Sequence, residues 1–210
     1  MLYKTSDILR DVRVSIDENK TNEQLITEGD VDTLMLDDII RSKIEEGVRL
    51  VVGAAPLYML DGGNTFGDAV YWRKDYSGWV LLPDDFFRLV VFKMSDWERP
   101  VYKAITPDSP QYNVQLSRYK GLRGTPQKPV VAICVRQEGR VLELYSCNDN
   151  TATVEQALYM PLPKEDDGYI NIPERCYRSA VYEIAALTEA SVGQQDFYTL
   201  LTKLSKGLLI

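Results

Sequence analysis

Tyr71-Trp72-Arg73-Lys74-Asp75-Tyr76-Ser77-Gly78-Trp79-Val80-Leu81-Leu82 is the stretch on which the fold class turns. Aromatic and β-branched residues stand on either side of Asp75 to Gly78, so the spacing predicts two short strands about a turn. Pro83-Asp84-Asp85 breaks the run, and Phe86 to Trp97 then reads as a longer strand. Upstream, Asp61-Gly62-Gly63-Asn64 is turn chemistry. Downstream, a stretch punctuated by Pro107, Pro110, Gly121, Gly124, Pro126 and Pro129 predicts irregular chain. Val130 to Arg136 and Val141 to Tyr145 then flank Gln137-Glu138-Gly139-Arg140, a hairpin with its glycine at the turn. Val154 to Met160 is one more strand, ended by Pro161-Leu162-Pro163.

On both sides of this β segment the apolar period changes to that of a helix. Ile8, Leu9, Val12 and Ile16 follow a cap at Thr5 or Ser6, and Asp17 to Asn22 ends that helix. A polar link through Gly29 leads to a second helix capped by Asp30 or Asp32. Leu36, Ile40, Ile44, Val48 and Val51 share one face, and Gly53 and Pro56 close it. From Asp32 to Ala54 it would extend about 34 Å. At the other end Pro173 starts a helix with Tyr177, Val181, Ile184 and Thr188 in line, and Gly193 stops it. Phe197, Leu200, Leu201, Leu204 and Leu208 mark a fourth, with Asp196 near its start. The fold expected is α+β: a helical bundle made by the N- and C-terminal helix pairs (1–56 and 172–210) with a β-rich insertion (57–171). The closeness of termini in compact domains favours that arrangement.

Composition narrows the chemistry. The 210 residues are 45% hydrophobic and 26% charged, ordinary for a globular chain of one domain. There is no histidine. That excludes Ser-His-Asp and Cys-His nucleophile systems, a histidine base and every histidine metal site. The three cysteines, Cys134, Cys147 and Cys176, are odd in number and far apart, so neither a disulfide framework nor a CxxC zinc site is indicated. They read as small buried apolar residues. No apolar run reaches the roughly 18 residues of a membrane span, and residues 1–7 lack a signal-peptide core, which predicts an intracellular, soluble product.

Net charge is −7, and it is uneven. Residues 1–50 sum to −5, 51–100 to −2, 101–150 to +3 and 151–210 to −3. An acidic chain is a poor general binder of nucleic acid. Yet no acid occurs between Ser109 and Gln137, where Arg118, Lys120, Arg123, Lys128 and Arg136 lie with Tyr112 and Tyr119 interleaved. Such a loop suits an acidic protein face, including one on another copy of the chain, a plain solvated surface loop, or single-stranded nucleic acid. Arg118, Lys120 and Arg123 are therefore candidate partner-binding residues. Gly121 to Lys128 has two glycines but no Gly-Lys-Ser/Thr ending, so a phosphate loop is not predicted. Asp84-Asp85 reads as a turn into a strand rather than an acid/base pair, and Glu165-Asp166-Asp167-Gly168 as a solvated turn rather than a calcium loop. Phe86, Phe92, Trp72 and Trp79 read as cross-strand pairs, with a carbohydrate-binding sheet as the alternative. A second candidate surface closes the chain. Lys203 and Lys206 fall in the last helical turn, and Leu208, Leu209 and Ile210 form an apolar end that either folds back on the bundle or inserts into a partner.

Two sets of phrases carry a resemblance. Leu82-Pro83-Asp84-Asp85-Phe86-Phe87-Arg88-Leu89-Val90 runs into Met94-Ser95-Asp96-Trp97-Glu98-Arg99-Pro100-Val101. Lys128-Pro129-Val130-Val131-Ala132 is followed by Leu142-Glu143-Leu144-Tyr145-Ser146. In these phrases and in its order of elements the chain resembles the head-to-tail adaptor, or connector, proteins of tailed phages, of the short-tailed type found in Bacteroides phages and prophages. The resemblance implies a structural virion protein and not an enzyme, with no cofactor. Such a protein is made in the bacterial host cytoplasm and forms a homo-oligomeric ring between the portal protein and the tail or a lower ring. Its C-terminal region faces the portal, and DNA passes through its channel during ejection without sequence-specific binding. The runner-up from another class is a carbohydrate- or surface-binding module built on the aromatic sheet. A hydrolase working with carboxylates alone stands third.

Overall fold

The computed structural model describes residues 1–16 and 35–210. Along the chain run β1 (Leu2–Lys4), α1 (Thr5–Ser15), α2 (Leu36–Ala54), β2 (Asn64–Thr65), β3 (Tyr71–Trp72), β4 (Gly78–Leu81) and β5 (Phe86–Met94). There follow α3 (Pro110–Gln115), β6 (Val131–Arg136), β7 (Gly139–Leu144) and β8 (Val154–Pro161). The chain continues through β9 (Glu165–Asp166), β10 (Tyr169–Asn171), α4 (Tyr177–Val192) and α5 (Gln195–Gly207). It divides into two compact units, residues 1–61 with 163–210, and residues 62–162.

The first unit packs its long helices by periodic apolar faces. Ile8 and Val12 of α1, Ile40, Ile44 and Val48 of α2, and Ala180, Ile184 and Ala185 of α4 are all buried. Gly47 lets α2 and α4 approach closely, since a Cβ there would lie 2.6 Å from Ile184 Cγ1. Arg13 of α1 pairs with Asp37 of α2 at 2.9 Å. Gly193 ends α4 at φ 88°, the left-handed conformation that a C-cap glycine adopts without strain. Ser179 and Ser205 then draw α4 and α5 together, each hydroxyl donating to the other's backbone carbonyl at 3.0 Å.

The expected helical bundle with a β insertion requires correction. The chain is α+β with three antiparallel sheets, and one of them, ordered β1-β10-β9, belongs to the unit that holds the long helices. Asp166 pairs with Tyr169, leaving Asp167 and Gly168 at φ 47° and 76°, a tight hairpin of left-handed residues. Tyr3 of β1 pairs with Ile170 and stacks on Tyr177 with ring centroids 4.2 Å apart. Ile170 and Ile172 are wholly buried. Strands of two or three residues are too short to show a period of two, so they left no pattern in the sequence. Helix α2 starts at Leu36. The readings placed on Asp17 to Asp32, the end of the first helix, the Gly29 link and the Asp30 or Asp32 cap, lie outside the described residues.

The second unit holds the other two sheets, β2-β8-β5 and β3-β4-β7-β6. The hairpin about Gly139 forms, with Val131 opposite Leu144 and Arg136 opposite Gly139. One core joins both sheets: Phe66, Val80, Phe86, Phe92, Trp97, Leu142, Leu144 and Tyr159 pack together. Phe66 meets Phe86 and Tyr159 edge-on, and Phe86 stacks on Tyr159. Arg140 holds the Pro83-Asp84-Asp85 turn by donating to the Asp84 carbonyl at 2.7 Å and the Phe86 carbonyl at 3.1 Å.

Candidate functional site

The four-stranded sheet has a second face, and sequence reasoning missed what covers it. Trp79 pairs with Glu143 across β4 and β7, and Glu143 with Ala132 across β7 and β6, so these side chains stand in one row. Glu143 is 2% exposed. Its carboxylate accepts from Arg73 at 2.8 Å, from Arg136 Nε at 2.9 Å, and from the Tyr145 hydroxyl. Tyr112 donates to it at a longer 3.5 Å. Arg136 lies over the Trp79 ring at 4.4 Å, and Tyr71 stacks on the ring beside it. Burial and the Glu143 charge push the Tyr145 hydroxyl well above its ordinary pKa. A buried carboxylate costs heavily unless paired, and here two guanidinium groups and two hydroxyls satisfy it. The Glu143 carboxylate is thus partnered from four sides. Its signal in the sequence was Glu143 alternating with Leu142 and Leu144, which reads as an ordinary solvent-facing position.

That network anchors the basic loop. The stretch read as irregular carries the short helix α3 and a single 3-10 turn at Lys120–Leu122. Gln115, buried, accepts the Gly124 N–H through its side-chain oxygen at 2.8 Å. Arg123 reaches inward and is 9% exposed, bonding Asp75 at 2.5 Å and the Ser117 carbonyl at 2.5 Å. Burial alone would raise the Asp75 pKa, but hydrogen bonds from Ser77 and Arg123 outweigh it and hold the carboxyl at about 2. Arg123, expected with Arg118 and Lys120 as a partner contact, is thus a clamp of the loop. Arg118 and Lys120 point outward: Arg118 lies 5.0 Å over the Tyr119 ring, and Lys120 Nζ 3.9 Å over Tyr76. Val114, Leu116, Tyr119 and Leu122 are exposed around them, the last two at 60%.

The second set of residues lies in the other unit. Lys203 and Lys206 are exposed on α5, Leu208 and Ile210 are exposed just beyond it, and Leu209 is half-buried. Helix α5 buries only Leu201 and Ser205. Phe197, Leu200 and Leu204 are 52%, 54% and 45% exposed along its outer side. They border a groove of about 460 Å³ shared with Val14 of α1 and Val181 and Tyr182 of α4.

The Asp84-Asp85 pair is tied into its turn. Asp85 accepts the Tyr159 hydroxyl at 2.7 Å, while the Asp84 carbonyl serves the turn. Among the described residues no group of three His, Cys, Asp or Glu side chains could hold a metal ion. The cysteines are all free. Burial, and then the charge of Asp96, pushes the Cys147 thiol to about 12, and burial raises Cys134 as well. No described helix is long and apolar enough to cross a membrane. The chain matches no family model, and no curated protein has a sequence that matches it.

Proposed function

We propose that this chain is a structural ring subunit of the head-to-tail adaptor kind, seated between a portal and a tail component. The observation that carries the reading is α5, a helix that buries two side chains and displays a row of large apolar ones. A soluble monomer seldom exposes so continuous an apolar row without a partner for it. Fully burying one aliphatic or aromatic side chain contributes roughly 1.5–3 kcal/mol. Phe197, Leu200 and Leu204 start about half exposed, so each gains about half that in a contact, repeated at every copy. The phrases between Leu82 and Val101 add the resemblance to phage adaptors. The net charge of −7 suits a channel that lets DNA pass without gripping it.

Sedimentation velocity of the full chain over a range of concentrations tests this. The wild type should pass from monomer to one discrete large species. Leu200→Ser/Leu204→Ser should remain monomeric with an unchanged circular dichroism spectrum. Equal assembly of the double variant, or a wild type that stays monomeric throughout, would overturn the reading.

A further inference from the structure

The four strand aromatics singled out in the sequence have different surroundings. Phe86 and Phe92 are buried in the core. The Trp79 ring is covered by Arg136 at 4.4 Å and by the Tyr71 ring. Trp72 is half-buried: it packs against the core and also lines a cleft of about 530 Å³. The cleft lies wholly within the unit of residues 62–162. Phe66, Val70, Val154 and Ala157 complete its apolar lining. Its size falls within the roughly 300–1,000 Å³ of small-molecule sites.

The walls are held by the protein itself. On one side Phe66 sits among the rings of Phe86, Phe92 and Tyr159. On the other, Asp96 accepts the Asn148 N–H at 2.7 Å, and Asp149 accepts the Thr151 N–H at 2.8 Å and its hydroxyl at 2.6 Å. Thr153 then donates its N–H to the Ser95 hydroxyl at 3.0 Å, and its carbonyl accepts the Ser95 N–H at 2.9 Å. A preformed site loses little entropy when it is filled.

The lining sorts ligands by charge. Asp68 and Glu155 line the cleft and no Lys or Arg does, so a phosphate or carboxylate would meet repulsion with no cation to hold it. Glu155 is already paired with Lys93 at 2.9 Å. Asp68 alone would then have to hold an organic cation. The other polar groups are the hydroxyls of Thr65, Thr151 and Thr153 and the amide of Asn150, which both donate and accept. A sugar presents hydroxyls of the same dual character, and the apolar face of its ring suits an aromatic side chain. We infer that the cleft binds a neutral saccharide, with its ring against Trp72 and its hydroxyls bonded to Asp68 and Asn150. This site is independent of the ring reading, and neither assembly nor its absence bears on it.

Heteronuclear NMR of the full chain labelled with heavy nitrogen tests the site. The three indole N–H signals are assigned by replacing Trp72, Trp79 and Trp97 in turn with Phe. The probes are maltotetraose, cellotetraose, mannotetraose, N-acetylchitotetraose and, as the organic cation, spermidine. At least one tetrasaccharide should shift the Trp72 indole signal saturably with a Kd of about 1 mM or tighter, and spermidine should not. Asp68→Ala/Asn150→Ala changes two exposed side chains, so it should keep the melting curve while weakening that binding about tenfold or more. No shift with any of the four sugars would overturn the inference. So would sugar binding that the double variant retains in full, which would place the sugar elsewhere. Spermidine shifting the Trp72 signal where the sugars do not would show a cation to be the occupant and overturn it as well.

Discussion

Gly47→Ala should destabilise the helical unit, against the direction that helix propensity alone gives. In an exposed helix interior the change stabilises by about 1 kcal/mol, because alanine loses less backbone entropy. Position 47 is buried against α4, and the added Cβ would stand 2.6 Å from Ile184 Cγ1, 3.1 Å from Ile184 N and 3.2 Å from Ile184 Cα. The first contact can be relieved by a rotamer change, but the other two involve backbone, so α2 and α4 must separate. Overpacking of this kind costs about 1–3 kcal/mol. With two backbone contacts the upper part of that range applies, leaving a net loss of about 1–2 kcal/mol. For a chain of this length each kcal/mol lowers Tm by about 2–4 °C, so a fall of roughly 2–8 °C is expected. Far-UV circular dichroism is the assay, since Trp72, Trp79 and Trp97 all lie in residues 62–162 and their fluorescence does not report on this unit. The double variant Gly47→Ala/Ile184→Ala should lose less stability than the two single changes summed, because Ile184→Ala removes the nearest atom. A Tm at or above that of the wild type for Gly47→Ala would refute the close approach of α2 and α4.

Two further outcomes follow from the polar groups. Glu143→Gln keeps the side-chain shape but removes the charge that Arg73 and Arg136 share, and should cost about 1–3 kcal/mol in chemical denaturation followed by tryptophan fluorescence; a loss within error of zero would mean that water, not Glu143, satisfies the two arginines. Burial raises the hydroxyl pKa of Tyr3, Tyr145, Tyr159 and Tyr177 above the ordinary value of 10.0, and the hydrogen bond with Cys134, with burial second, raises Tyr112 to about 12. The unfolded chain releases these protons near its ordinary tyrosine pKa while the folded chain holds them to higher pH, so stability is lost as pH rises above about 10; phenolate absorbance should show part of the tyrosine signal titrating above the ordinary value in the folded chain, and a single titration of all thirteen tyrosines at about 10 before unfolding would contradict the raised values.

The longer elements were legible because their apolar residues repeat with a clear period. Leu36, Ile40, Ile44 and Val48 mark α2, and the strand from Phe86 shows its aromatic and β-branched character directly. Gly139 and Gly193 stand where positive φ is needed. The short sheet was not legible, because Leu2–Lys4 and Tyr169–Asn171 are adjacent only in space. The loop's positive charge was visible as a run without acids, but its division into inward and outward cations was not. Arg123 and Arg118 are alike as sequence. What separates them is Asp75, 48 positions away, which meets Arg123 only once β3 and β4 have paired. Glu143 hid for the opposite reason, because a single acid in an alternating strand ordinarily faces water.

Electron microscopy of the purified full chain at assembling concentration tests the central claim most directly. The account predicts closed rings of one diameter with an open centre. Monomers alone at every concentration, or open filaments and irregular clusters in place of rings, would contradict it.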